Sequence, residues 1–531
     1  MRLSLPPLLA RYLGEQRWFG GKARQIRSVE IADVVPFGET ALEAFVLLVR
    51  VAYTSGAGET YVVPLVCTQE SAVQGAMPGL KVYSAAQGKD LHLRNALSDE
   101  AFLRRLLEAM EGKTVFRGFE GEIHSEHSNA FHILCDGFTG ALQPKAVKSE
   151  QSNSSIIYGD RVILKFFRRA EEGENPDLEI GRFLTEKKNL ANIPAVAGWL
   201  EYHGTDNRKM YMGILQAFVP NIGDAWQFTL NALSSFWQYA KKYSEEHGPL
   251  LQHAENVDDG RAESAGFGKK LPEPILTSIQ PYLDAVELLG KRTAELHLAL
   301  ASDVDDPAFA PEPFTDSFQQ AFRHTLHALT EQNLALLRMK IQELPPEQRG
   351  KARELIARQD EMLQKYDAAL SSPIQAMRTR IHGDYHLGQV LYTGSDFVVI
   401  DFEGEPARAL SERRVKRSPL QDVTGMLRSF HYAAFSFHVA RQEDAGASQM
   451  GNFEVSMWAE AWYACVSERF VSAYFQNAGQ ACFIPADRDA LSTLLRVHLL
   501  EKAVYELGYE LNNRPGWIAI PVAGISQLLD P

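Results

Sequence analysis

Between positions 381 and 406 the chain reads Ile381-His382-Gly383-Asp384-Tyr385-His386-Leu387-Gly388-Gln389-Val390, then two short apolar runs, then Asp401-Phe402-Glu403-Gly404-Glu405-Pro406. Phosphoryl transfer asks for few parts: a carboxylate to orient or deprotonate the attacking hydroxyl, and oxygen ligands to hold Mg2+ against the phosphates. This stretch offers both. Asp384 lies on a glycine-containing loop, Gln389 adds an amide oxygen five positions later, and Asp401 follows the apolar run Phe397 to Ile400. A hairpin of Val390-Leu391-Tyr392 and Phe397-Val398-Val399-Ile400 around Gly394 brings the three together. His382 and His386 have the i, i+4 spacing of a helical zinc pair, but Gly383 and Gly388 make the segment a loop and no Glu stands where a zinc protease needs one. Each aspartate alone reads as an ordinary turn residue. Their joint arrangement is what points to chemistry.

The elements that must position these residues follow from the rest of the pattern. Residues 1 to roughly 100 alternate apolar runs (Phe45-Val46-Leu47-Leu48-Val49, Tyr61-Val62-Val63-Pro64-Leu65-Val66) with turn signals, a strand-rich cap that opens on Arg17-Trp18-Phe19-Gly20-Gly21-Lys22. Helical spacing at Phe102, Leu106 and Met110 leads into a second strand-rich region, where Ile156-Ile157-Tyr158 and Val162-Ile163-Leu164-Lys165-Phe166-Phe167 flank Gly159-Asp160 as a hairpin. Beyond Asp224 the chain is mostly helical, with a polar, disorder-leaning stretch from His253 to Lys270 and a charged amphipathic section from Phe314 to Leu370. Strands first and helices second predict an α+β protein of two lobes. Its regions are a cap at 1–100, a strand-rich lobe at 101–222 and a helical lobe at 223–531.

Bulk properties exclude several classes. A formal net charge of −13 argues against broad nucleic-acid binding, which needs a basic face. No run approaches the ~18 to 20 apolar residues of a membrane span. The first residues, with one positive charge and a run cut by Pro6 and Pro7, make a poor secretory signal. Cys67, Cys135, Cys465 and Cys482 have no pairing rhythm, which predicts the reducing cytoplasm.

The H-G-D-x-H core at His382 to His386 resembles the catalytic loop of the protein-kinase-like small-molecule kinases, the group that includes aminoglycoside and choline kinases. The resemblance implies a two-lobed protein-kinase-like fold, ATP and Mg2+ as cofactors, Asp384 as catalytic base, and Gln389 and Asp401 as metal ligands. Gln389 replaces the group's commoner Asn, which changes reach more than chemistry. The group also needs a lysine at the phosphates, steadied by a carboxylate on a nearby helix. Lys165 fits, since an ammonium inside so apolar a strand is costly unless paired. The next helix is predicted to start with Asn175 as N-cap and Pro176 at its first position, which makes Glu179 the candidate partner. Ser152 and Ser154, in a polar turn before the strand, are placed to cover phosphates, and Gln216 and Val219, in the expected hinge, to contact adenine. Gly20-Gly21-Lys22 lacks the remaining residues of a phosphate-binding P-loop.

More narrowly, Arg17 to Lys22, Glu150 to Ser154, Asn175 to Glu179, His382 to Gln389, Asp401 to Pro406 and Tyr505 to Pro515 together resemble bacterial maltokinases, in order along nearly the whole chain. That implies transfer of the γ-phosphate of ATP to the anomeric hydroxyl of maltose, giving maltose 1-phosphate for α-glucan (glycogen) synthesis from trehalose, with trehalose synthase as a possible partner. Leu500, Val504, Leu507 and Leu511 form an apolar helical stripe, while Lys502, Glu506 and Tyr509 lie on another face. By the same resemblance these three, with His382, are the sugar-binding candidates. Two alternatives stand beside this one: an amino-sugar kinase such as a glucosamine kinase, for which Glu403, Glu405, Glu506 and Glu510 are candidate carboxylates near Asp384, and a non-catalytic partner domain of trehalose synthase.

Overall fold

A computed structural model describes residues 5–38, 44–68, 80–84, 89–135, 142–147, 153–248, 271–443 and 452–530. Ser152 and the polar stretch from His253 to Lys270 lie outside them. The chain divides into two compact units, one of residues 1–220 with 406–413, the other of 221–405 with 414–531.

The first unit holds two antiparallel sheets. One joins β1 (Ile26–Pro36), β2 (Ala44–Tyr53), β3 (Glu59–Thr68), β4 (Leu80–Ser84) and β5 (Lys89–Asn95) in the order β1-β2-β3-β5-β4. The other joins β6 (Val115–Arg117), β7 (Gly121–His127), β8 (Pro144–Ala146), β9 (Asn153–Tyr158), β10 (Val162–Phe167), β12 (Val196–Gly204) and β13 (Lys209–Ala217) in the order β6-β7-β12-β13-β10-β9-β8, while the short β11 (Arg169–Ala170) pairs with β3. Helices α1 (Leu5–Glu15), α2 (Glu100–Glu111), α3 (Asn129–Cys135) and α4 (Pro176–Arg182) complete the unit. The predicted hairpin is β9 and β10, with Tyr158 opposite Val162 and Gly159 at a φ of 56°. The two sheets share one core: Val35, Val46 and Val62 of the first pack in the same cluster as Ile156, Leu164, Phe166 and Leu200 of the second. Asp33 joins them through polar bonds. It is fully buried, and its carboxylate accepts from the backbone N–H groups of Phe119 (2.9 Å) and Glu120 (3.1 Å) and from the Tyr202 hydroxyl (2.9 Å), which satisfies a charge that burial would otherwise penalise.

The second unit is helical: α5 (Ala225–His247), α6 (Glu273–Leu300), α7 (Asp316–Lys340), α8 (Pro346–Ala357), α9 (Gln359–Ala369), α11 (Leu420–Glu443), α12 (Asn452–Ala478), α13 (Arg488–Asn513) and α14 (Ala519–Leu529), with α10 (Leu410–Arg413) lying in the segment that belongs to the first unit. Two small ribbons interrupt it, β14 (Glu312–Pro313) with β15 (Met377–Arg378), and β16 (Val390–Tyr392) with β17 (Phe397–Val399). The stripe Leu500, Val504, Leu507 and Leu511 is buried along α13. No described helix is long and apolar enough to cross a membrane.

Candidate active site

The loop from Ile381 to Gln389 is held by bonds from its own turn and from two helices. Gly383 adopts a φ of 84°, a conformation that disfavours any side chain, and the turn it makes aims Asp384 away from the loop's anchor. That anchor is Asp422 on α11, 2% exposed, whose carboxylate accepts from the N–H groups of His382 (2.7 Å) and Gly383 (2.9 Å) and from Nε2 of His297 on α6 (3.1 Å). Burial alone would raise the Asp422 pKa, but the bond and charge of His297 and the neighbouring donors hold it below the usual carboxylate value. The Tyr385 hydroxyl meets Thr293 of α6 at 2.8 Å, and Leu387 N–H donates to Ser429 Oγ of α11 at 3.2 Å. At Gly425 a Cβ would sit 2.6 Å from the Tyr385 carbonyl oxygen, so the loop lies directly on the α11 backbone.

His382 is not placed to touch a substrate, contrary to the expectation from sequence. It is 1% exposed; its Nε2 donates to the Ile400 carbonyl (2.9 Å) and its Nδ1 accepts from Asp384 N–H (3.3 Å). Both ring nitrogens are spent fixing Asp384 to the strand that ends before Asp401. His386 turns back on its own loop, its Nδ1 accepting from Gly388 N–H at 3.1 Å, and its Nε2 lies 3.8 Å from Asp384.

The Asp384 carboxylate lies 3.5 Å from Nζ of Lys502 on α13, and the same ammonium lies 4.0 Å from Glu405, which also accepts from the Tyr505 hydroxyl at 2.6 Å. Burial pulls the Lys502 pKa down, yet the charges of Asp384, Glu405 and Glu506 outweigh it and hold Lys502 as a cation. Lys502 thus serves the loop. Glu506 gives one oxygen to Nε (2.9 Å) and Nη2 (2.7 Å) of buried Arg428, and Glu510 binds Arg514 at 2.7 and 3.0 Å and the Tyr432 hydroxyl at 3.1 Å. Of the four carboxylates weighed beside Asp384, Glu405 lies 4.0 Å from the same ammonium. Tyr505, a member of this group, opens the Tyr505 to Pro515 segment but was given no role of its own from sequence. Tyr509 is 46% exposed, with the Arg514 guanidinium 5.5 Å from its ring centroid.

After β17 the backbone enters the left-handed region at Asp401, φ 66°, which a side chain tolerates only at a cost. Asp401 accepts from the Gln389 amide at 3.1 Å, and a carboxylate oxygen of Glu403 lies within 4.8 Å of one of Asp401. Clustered hard oxygen donors of this kind fit Mg2+.

In the first unit Lys165 sits on β10, an interior strand between β9 and β13, which rules out an edge-strand lysine reaching for solvent. Asn175 caps α4 through Leu178 N–H (3.1 Å) with Pro176 at the first position, as the sequence predicts. The carboxylate 3.2 Å from Lys165 Nζ is that of Asp177, two residues ahead of the expected Glu179; it is fully buried, whereas Glu179 is partly exposed. The Ser154 expectation needs correction. In the β9–β10 register Ser155 faces Lys165 and Ser154 faces Phe166, so strand alternation turns Ser154 to the other side of the sheet, where its hydroxyl accepts from Arg168 at 2.8 Å. Gln216 ends β13 opposite Ile163, Phe218 N–H donates to the Arg161 carbonyl (2.8 Å), and Gln216 and Val219 are both partly buried.

Residues 12–99 match the maltokinase N-terminal cap domain, and residues 271–462 match the phosphotransferase enzyme family. A glucosamine kinase of Streptacidiphilus jiangxiensis is 23% identical over 75% of this chain and 76% of its own. One of Mycolicibacterium smegmatis is 23% identical over 76% of this chain and 84% of its own. Two solved glucosamine kinase structures share the fold. One, in complex with glucosamine, ADP and inorganic phosphate, has a TM-score of 0.59 over 94% of each chain, and the other, crystal form B, 0.61 over 96% of each, both at 18% identity. Joining a maltokinase-type cap to a phosphotransferase-family domain, this chain has the fold of the kinase-like small-molecule kinases.

Proposed function

We propose that the protein transfers the γ-phosphate of ATP to a sugar hydroxyl, and that the sugar is maltose, phosphorylated at its anomeric position. The observation that carries this is the ammonium of Lys502 shared between Asp384 and Glu405. Asp384 takes the proton of the acceptor hydroxyl as its oxygen attacks the γ-phosphorus, and the bond to the β-phosphate oxygen breaks to release ADP. Lys502 sets its positive charge beside the Asp384 carboxylate. The Tyr505 hydroxyl fixes Glu405, leaving that carboxylate's remaining lone pairs to accept from sugar hydroxyls. Lys165, steadied by Asp177, binds the ATP phosphates, with Gln216 and Val219 at the adenine. Asp401, Gln389 and Glu403 would hold Mg2+, which when bound neutralises phosphate charge.

An ammonium-bearing acceptor would meet Lys502 as a like charge, which favours a neutral sugar. Against that, the relatives named glucosamine kinases favour an amino sugar. Incubation with Mg-ATP and maltose, glucosamine, glucose or trehalose, with the product identified by NMR, separates the two. Maltose phosphorylated at C1 is expected; phosphorylation of glucosamine alone, or at C6, overturns the maltose assignment. The product would then feed α-glucan synthesis, with trehalose synthase the natural source of its substrate.

Asp401→Gly separates the metal from the fold. Glycine suits the left-handed φ, so the variant is expected to melt at or above the wild-type temperature, gaining up to about 1 kcal/mol. Its activity is expected to fall at least a hundredfold and to need far more Mg2+, on the order of the loss for a removed ligand. Differential scanning calorimetry beside a Mg2+ titration checks both, and wild-type Mg2+ dependence would remove Asp401 from the metal site.

A further inference from the structure

No part in phosphoryl transfer falls to the Arg17–Lys22 segment, yet it covers an unusual group. Arg168, the residue between β10 and β11, is 2% exposed. Among the described residues no carboxylate pairs with it, its Nη1 has no hydrogen-bond partner, and burial lowers its pKa to about 10. A guanidinium so desolvated is expensive, and a carboxylate beside it would have been the cheaper arrangement. Contacts of three kinds hold it instead. Its Nε donates to Ser154 Oγ at 2.8 Å, its Cζ lies 4.7 Å from the Trp18 ring centroid, and its carbonyl accepts from Val62 N–H of β3 at 2.8 Å. Trp18 in turn rests 6.0 Å from the Tyr61 ring, itself 5.0 Å from Phe19.

Two of these contacts come from the cap and the third reaches the strand beside Lys165. Ser154 is the second residue of β9, and the next residue, Ser155, is the one opposite Lys165. We propose that Arg168 is a positioning residue for the nucleotide: clamped by Trp18 and β3, it grips Ser154 and so fixes the opening of β9 against the lysine strand. The unneutralised charge also leaves a positive potential behind that strand, where a polyphosphate gains from it. The Arg17–Lys22 segment acquires a task by this account, since its tryptophan is the face on which the guanidinium rests. The inference depends on Lys165 being the ATP-binding lysine.

Arg168→Met is expected to raise KM for ATP about tenfold, the effect of losing a hydrogen bond to a charged group, with kcat and KM for the acceptor within about twofold. Arg168→Lys supplies a readout that a scaffolding role would not move. A buried ammonium loses its proton more readily than a guanidinium, so in that variant KM for ATP climbs as pH rises from about 7 to about 9, while the wild type stays flat. Tyr12 of α1, the ionisable side chain whose charge acts on Arg168, is common to both proteins and is held above its ordinary pKa by burial. Should Arg168→Met fail to fold, Ser154→Ala, expected to raise KM for ATP about threefold, takes its place. A folded variant with wild-type KM for ATP, or one that only melts earlier, overturns the proposal. A wild-type protein that transfers no phosphate from ATP overturns instead the functional reading beneath it.

Discussion

Replacing Asp384 by asparagine is expected to lower kcat about a thousandfold while KM for ATP and the melting temperature stay near wild type. Asparagine keeps the size of the side chain and the backbone N–H that His382 Nδ1 accepts, so the loop retains its anchor. What is lost is the charge that receives the acceptor's proton. Lys502 keeps Glu405 as a counter-charge at 4.0 Å, which limits any structural response. Because the acceptor proton must go somewhere as the new bond forms, the loss falls on the chemical step and not on nucleotide binding. Steady-state kinetics with ATP varied at saturating sugar, beside circular dichroism, measure the two separately. A folded Asp384→Asn enzyme with full turnover would remove Asp384 as the base.

Signals confined to a few neighbouring residues were legible in the sequence. Gly159-Asp160 between two apolar runs gave the hairpin of β9 and β10, and Asn175-Pro176 gave the start of α4, because turn and capping chemistry acts over two to four residues. That His382 to His386 form a loop and not a helix was legible for the same reason. Misassignment began where one residue decides the outcome. Extending β9 back to Asn153 turns a polar turn into strand, and alternation then gives Ser155, not Ser154, the face of Lys165. Asp177 and Glu179 both fall in the first turn of α4, and sequence pattern gave no reason to name Asp177, 3.2 Å from Lys165, beside Glu179. Contacts distant along the chain were out of reach altogether. Asp422 lies 40 residues beyond His382, and Arg428 lies 78 before the Glu506 it neutralises; neither has a local motif to mark it.

Asp422→Asn tests whether that distant carboxylate, and not the loop's own turn, holds the catalytic geometry. The native carboxylate accepts three hydrogen bonds in a buried site. An amide offers one oxygen and turns an NH2 group toward the remaining N–H donors, so at least one buried donor is left without a partner. The expected cost is about 3 kcal/mol of unfolding free energy at neutral pH, the scale for breaking a buried charged network. Turnover should fall at least tenfold, because displacement of His382 and Gly383 moves Asp384. The pH dependence identifies the group responsible. The Asp422 pKa is lowered in the folded protein, so its stabilisation is complete above the unfolded-state value near ~3.9 and disappears as pH falls through the lower folded value. Urea unfolding of both proteins should therefore show a gap that is constant from neutral pH down to mildly acid conditions and narrows only below the ordinary aspartate range. A gap independent of pH throughout would mean that the carboxylate's charge is not what the loop depends on, and that His382 and the Gly383 turn carry the geometry themselves.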